Sequence, residues 1–156
     1  MTEAKDKLRM GAFLSLVRST NVFMRYRTVE FRRHDSTSMR MMLMNALYLN
    51  GGSMTPTELS ECIFRSRHSI TSMVDTLERQ GLVRRESNLE DRRSITVMLT
   101  PEGSQLFERM MPIGYEIGQK ALFCLSDDEV VKLRMLFKQV REYLVAEIAS
   151  SKTRPT

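Results

Sequence analysis

Long apolar runs are what this sequence most plainly lacks. No stretch of about 18 consecutive apolar residues occurs, so no membrane-spanning helix is expected. The basic start, with Lys5, Lys7 and Arg9, is not followed by the apolar segment of a signal peptide. Cysteine is scarce: Cys62 and Cys124 form no CxxC and no metal-type spacing, which suits a reducing cytoplasm. The two histidines, His34 and His68, are far apart and make no recognisable zinc site. There is no phosphate loop, no nucleophile elbow and no pair of carboxylates with a supporting histidine. These absences argue against an enzyme, against a metal or other cofactor, and for a cytoplasmic location. Tryptophan is absent too and aromatics are only 7%, while methionine is abundant at 13 residues and is expected mostly as filler of cores and interfaces.

What is present suffices for one folded domain: 156 residues, 42% of them hydrophobic, with a formal net charge of +5. A basic balance is compatible with nucleic acid or an anionic surface without proving either. The surplus is uneven. Residues 1–33 hold eight Lys and Arg against three Asp and Glu, whereas 65–93 hold seven Arg against five. The excess in the first segment reads as a solvated helix face, as additional phosphate contact, or as an anion-holding cleft.

Periodicity predicts mainly helices. From Gly11 to Arg33, Phe13, Leu16, Val17, Val22, Phe23, Tyr26 and Val29 recur at helical spacing up to a break at His34-Asp35. A second helix follows, capped by Asp35, Ser36 or Ser38 and ended by Gly51-Gly52. Thr55, Pro56 and Glu58 make a capping box with proline at the first helical position, so a short helix to about Phe64 is expected. After a turn at Arg65-Ser66, Ile70, Met73, Val74 and Leu77 mark the buried face of another helix, closed by Gly81. His68, Ser72, Asp75 and Arg79 then face outward, with Ser69, Thr71 and Thr76 beside them. "LVRRES" and "SITVMLT" read as a β-hairpin. Pro101 opens a helix to about Leu125 that Pro112 is expected to kink or break. Ser126 to Glu129 is a second capping box, with Val130, Leu133, Leu136, Phe137, Val140, Leu144 and Ile148 as the stripe that follows it.

Two short helices joined by a tight turn, then a hairpin, make a winged helix-turn-helix. A helix fits the major groove of B-DNA and its outward side chains reach base edges. Here that helix runs from Arg67 to Gln80. The hairpin tip carries Asp91, Arg92 and Arg93. Arginine in a minor groove reads its width and negative potential, and Asp91 can hold Arg93 in one orientation through a carboxylate-guanidinium pair.

The run "RSRHSITSMVDTLERQGLVRRESNLEDRRSITVMLTPEG" resembles the core signature of the MarR family of bacterial transcription regulators. The resemblance lies in Val74-Asp75, Leu77-Glu78, Gly81-Leu82-Val83, the Asp91-Arg92-Arg93 wing and the Leu99-Thr100-Pro101-Glu102-Gly103 exit. Residue by residue it covers about 55–103. The wing segment departs from the family in lacking the proline often found there. The resemblance implies a mainly α fold with a small β-hairpin, in which N- and C-terminal helices form a dimerisation domain around the winged helix-turn-helix. It divides the chain into 1–34 and 101–150 for dimerisation, 35–100 for DNA binding and 151–156 as a flexible tail. It further implies a homodimer on a pseudo-palindromic operator in double-stranded DNA, and control by a small lipophilic or anionic effector whose pocket residues the sequence does not name.

The expected reading is a ligand-responsive repressor. Arg67, His68, Ser69, Thr71 and Ser72 enter the major groove. Arg93, supported by Asp91, enters the minor groove beside Arg92, and Arg65 and Arg79 meet phosphate. Two alternatives remain. One is a winged helix turned to protein binding. The other is a thiol-based oxidant sensor, disfavoured because the resemblance places a sensing cysteine in the first helix, where this sequence has none, and because Ile63 and Phe64 argue for a buried, inert Cys62.

Overall fold

Six helices and three short strands follow one another in the computed structural model, which describes residues 2–87 and 95–152. In chain order they are α1 (Thr2–Arg32), α2 (Ser38–Leu49), β1 (Ser53–Met54), α3 (Pro56–Cys62), α4 (Arg67–Arg79), β2 (Val83–Ser87), β3 (Ile95–Leu99), α5 (Pro101–Leu122) and α6 (Asp127–Lys152). The arrangement is a winged helix-turn-helix flanked by long helices, as the order of parts predicts. The chain divides into two compact units, Met1–Ile117 and Gly118–Thr156.

Local chemistry sets most boundaries. In the capping box of α3, the Thr55 hydroxyl accepts from the Glu58 backbone N–H and the Glu58 carboxylate accepts from the Thr55 N–H. Gly51, Gly52 and Gly81 all take positive φ. At Gly52 and Gly81 this lets the chain turn off the ends of α2 and α4, where the Gly52 N–H reaches back to the Leu47 carbonyl. The cap of α2 differs from expectation. Thr37, not Asp35, Ser36 or Ser38, accepts from the Arg40 N–H, because Ser36 and Ser38 are drawn into the interior. Helix α1 begins nine residues earlier than its apolar pattern suggests, at Thr2, since polar helix formers continue the helix without contributing to the pattern.

The core of the first unit lies beneath α4. Leu43, Met44, Leu47, Leu59, Ile70, Val74, Val83 and Val97 are fully buried, joined by Phe31, Leu77 and Phe107. Burying each large aliphatic side chain contributes about 2 kcal/mol. Met41, Met44, Met54 and Met110 are core residues as expected. Residues Phe13, Val17, Val22, Phe23 and Val29 of α1 are not: they stay exposed in the single chain. The three strands form an antiparallel sheet in the order β1-β3-β2, with Arg85 opposite Val97 and Val83 opposite Leu99. The strand β1 was not legible in the sequence, because two residues carry no alternation. Helix α5 continues through Pro112 without a break, giving up one backbone donor.

In the second unit, the Ser126–Glu129 capping box forms and α6 runs on to Lys152. Its stripe of Leu136, Phe137, Val140, Leu144 and Ile148 is exposed. No helix among the described residues is long and apolar enough to cross a membrane.

Candidate nucleic-acid interface and adjoining cavity

The amphipathic spacing of α4 decides what it presents. Ile70, Val74 and Leu77 anchor one side in the core, so the opposite side carries Arg67, His68, Thr71, Ser72, Asp75 and Arg79, all exposed. The Ser66 hydroxyl caps the helix by accepting from the Ser69 N–H at 3.2 Å. Ser69 is half-buried and its hydroxyl lies 2.9 Å from that of Ser66, so its first task is the cap. Thr71 donates to the Arg67 carbonyl and Arg79 to the Asp75 carbonyl. The side chains of Arg65, Arg67 and His68 hold no hydrogen bond or ion pair among the described residues. The wing residues Asp91, Arg92 and Arg93, and the expected Asp91–Arg93 pair, lie outside the described residues.

A residue the sequence reading passed over ties the wing to this helix. Arg85 on β2 donates from Nη2 to Asp75 Oδ1 at 2.5 Å and from Nη1 to Glu78 Oε2 at 2.5 Å. Its backbone N–H donates to Glu78 Oε1 at 3.1 Å. Partial burial pushes the Arg85 guanidinium pKa down, but hydrogen bonds and attraction from Asp75 and Glu78 outweigh this and raise it. The signal was present in the alternation of β2: Arg85 stands two residues from the buried Val83, on the same face of the strand.

The first unit carries a partly open cavity of about 410 Å³, lined by Phe31, Met42, Tyr48, Phe107 and Met111 among others. The Tyr48 and Phe107 rings approach to 4.8 Å between centroids, tilted by 38°. Its one basic lining residue is Arg27. Arg27 Nε donates to Ser38 Oγ at 3.2 Å and Nη2 to the Ser38 carbonyl at 3.1 Å. Nη1 has no partner among the described residues. Burial lowers the guanidinium pKa from its ordinary value. The site is therefore a mostly apolar chamber with a partly desolvated cation in its wall, suited to a flat ring bearing an anionic group. Sequence reasoning missed it because its residues come from α1, α2 and α5.

Cys62 corrects an expectation. It is exposed, as is Cys124. The core side of α3 is set by Leu59, and its next contact one turn on is Ile63 rather than Cys62. Among the described residues no group of three or more His, Cys, Asp or Glu is placed to hold a metal ion.

Comparison with known proteins agrees with this geometry. The model of the MarR family matches residues 34–94. The transcriptional regulator PecS of Dickeya dadantii is 31% identical over 93 residues, covering 60% of this chain and 56% of that protein. The chain thus spans little more than half the length of this relative. Wild-type MarR from E. coli in its apo form superposes with a TM-score of 0.69 at 25% identity, covering 83% of this chain and 95% of that one. BpsR of Bordetella bronchiseptica, a protein whose DNA binding is regulated by 6-hydroxynicotinic acid, shares the fold with a TM-score of 0.74 at 21% identity, over 81% of this chain and 89% of that one.

Proposed function

The chain belongs to the MarR family of transcriptional regulators, and from that premise we propose that it is an effector-controlled repressor acting as a homodimer on a pseudo-palindromic operator. The observation that carries this reading is the division of α4 between a core-anchored apolar side and an exposed polar side, with Arg67 and His68 unpaired among the described residues. In this reading Arg67, His68, Thr71 and Ser72 meet base edges in the major groove, with Ser69 chiefly holding the helix start. Arg65 and Arg79 meet phosphates. At the wing tip Arg93, oriented by Asp91, enters the minor groove and Arg92 meets the backbone.

Dimerisation is assigned to segments 1–34 and 101–150. Each carries apolar side chains that the single chain leaves in water, such as Phe13 and Val22 on α1 and Phe137 and Leu144 on α6. A second copy that covers them removes that surface from solvent. Two copies must then place their α4 helices about 34 Å apart, one turn of B-DNA.

The effector is assigned to the cavity, as a small aromatic acid or phenolate whose negative group meets Arg27 Nη1. The cavity draws on α1, α2 and α5, so it joins segments assigned to dimerisation with one assigned to DNA binding. A ligand that binds better when those segments are mismatched to the operator lowers DNA affinity by its differential affinity for the two states.

The test is enrichment of operators from a random duplex pool, followed by binding over a salt series. Specific binding with two chains per site, lost in Arg67→Ala and His68→Ala, supports the reading. A wild-type protein that enriches no sequence, or one that stays monomeric at micromolar concentration, sinks it.

A further inference from the structure

The turn that separates α3 from α4 is built on a bulky residue in a conformation that bulky residues avoid. Phe64 has φ +52°, the left-handed region in which an L-residue is disfavoured roughly tenfold. Among the described residues only Asp35 shares a positive φ without being glycine, and aspartate tolerates it because its short carboxylate can bond locally. Phe64 has no such group. The turn does not use the ring either. It is closed by the Arg65 N–H donating to the Ser60 carbonyl and by the Ser60 hydroxyl donating to the Arg65 carbonyl, bonds in which the side chain at position 64 takes no part. Nor does the fold bury Phe64, which is 62% exposed as a residue. A strained residue whose side chain contributes little to its own fold points to a role outside it.

We infer that Phe64 is an apolar DNA contact, its ring packing on the C–H surface of the operator beside the groove entered by α4. This rests on the DNA-binding reading above. Phe64 lies two residues before Ser66, the cap of α4, so the turn borders the end of the helix that leads into the groove. Arg65 and Arg67 follow it one and three residues on, both exposed and without a carboxylate partner among the described residues. A protein pocket that took the ring would have to accommodate both guanidinium groups as well. DNA presents phosphates for the two cations and apolar deoxyribose or thymine-methyl surface for the ring next to them in the chain.

Two variants separate strain from contact. Phe64→Gly relieves the backbone, and Phe64→Asn relieves most of it without glycine's added chain freedom. Both are expected to raise Tm by about 3 °C. Both are expected to weaken binding to the enriched operator by about tenfold, with the slope of log K against log salt unchanged because no charge is removed. A uniform loss across operators identifies deoxyribose as the surface met by the ring, and a loss confined to sites with thymine at one position identifies the methyl group. Undiminished operator affinity in both variants overturns the contact and leaves the ring to a protein partner. If the wild-type protein enriches no operator, the DNA-binding reading fails and the contact with it.

Discussion

Arg85 Nη2 of strand β2 stands 2.5 Å from Asp75 Oδ1 of α4, and this pair joins the two elements that the proposed function brings to DNA together. With Glu78 held by the same guanidinium, the wing and α4 have one fixed relative orientation at the level of β2. The pairing has an electrostatic consequence as well. Asp75 lies on the exposed side of α4, where an uncompensated carboxylate would repel phosphate.

Arg85→Ala is therefore expected to lower stability by about 1 kcal/mol, the modest figure reflecting half-exposed partners. It should weaken operator binding more than the loss of one surface charge accounts for. Arg85→Lys should restore little of either, since a single ammonium cannot span both carboxylates. A double-mutant cycle with Asp75→Ala checks the coupling: if the two losses are simply additive, the orientation role is wrong.

Gly103 permits the start of α5 to lie against the chain entering β2. A Cβ built there falls 2.0 Å from the Leu82 carbonyl oxygen and 3.0 Å from its carbon. Backbone cannot yield as a flexible side chain would, so Gly103→Ala should cost about 3 kcal/mol. Gly118→Ala is the control: it meets nothing within 4 Å and should gain up to about 1 kcal/mol from helix propensity. Urea unfolding of the two variants should move in opposite directions.

The cavity predicts selectivity by charge. Arg27→Met should weaken binding of benzoates by about 30-fold, on the order of 2 kcal/mol for a charge-assisted hydrogen bond. It should leave matched benzamides nearly unaffected. Calorimetric titration of wild type and variant with both series decides it, and equal benzoate affinity in the two proteins would remove Arg27 from the effector site.

Acid should loosen helix starts. The Glu58 carboxyl is held below its ordinary range by the backbone hydrogen bond from Thr55, aided by the Thr55 hydroxyl, and that of Glu129 likewise by Ser126. A carboxyl whose folded pKa is lowered contributes stability that is present above its unfolded value, about 4.3, and lost as pH falls through the folded value. Urea midpoints should therefore decline below about pH 4.5, and the decline should be shallower in Glu58→Gln and Glu129→Gln. A variant with an unchanged acid limb would exclude that capping box as a contributor.

Much of the architecture was legible in the linear chain because its causes are local. The capping boxes at Thr55 and Ser126 use groups three residues apart. Ile70, Val74 and Leu77 announce the buried side of α4 by their spacing alone. The candidate reading residues then follow as what that side leaves exposed. Where local rules failed, a tertiary demand had intervened. Ser36 and Ser38 match the cap chemistry of α2 as well as Thr37 does, yet both are taken into the interior. Cys62 has apolar neighbours in sequence, but the helix phase set by Leu59 turns it to water.

The sequence by itself determined which segments are helical, where most of them start and stop, and that a short polar-faced helix precedes a hairpin. Those features depend on backbone hydrogen bonds and side-chain spacing within a few residues. Only the tertiary structure decided that Arg85 serves Asp75 and Glu78, that Gly103 must have no side chain, and that Arg27 lines a chamber with Tyr48 and Phe107. Each of those depends on atoms brought within a few ångströms by packing between different elements, from residues seven or more apart, a distance over which neither periodicity nor local propensity carries information.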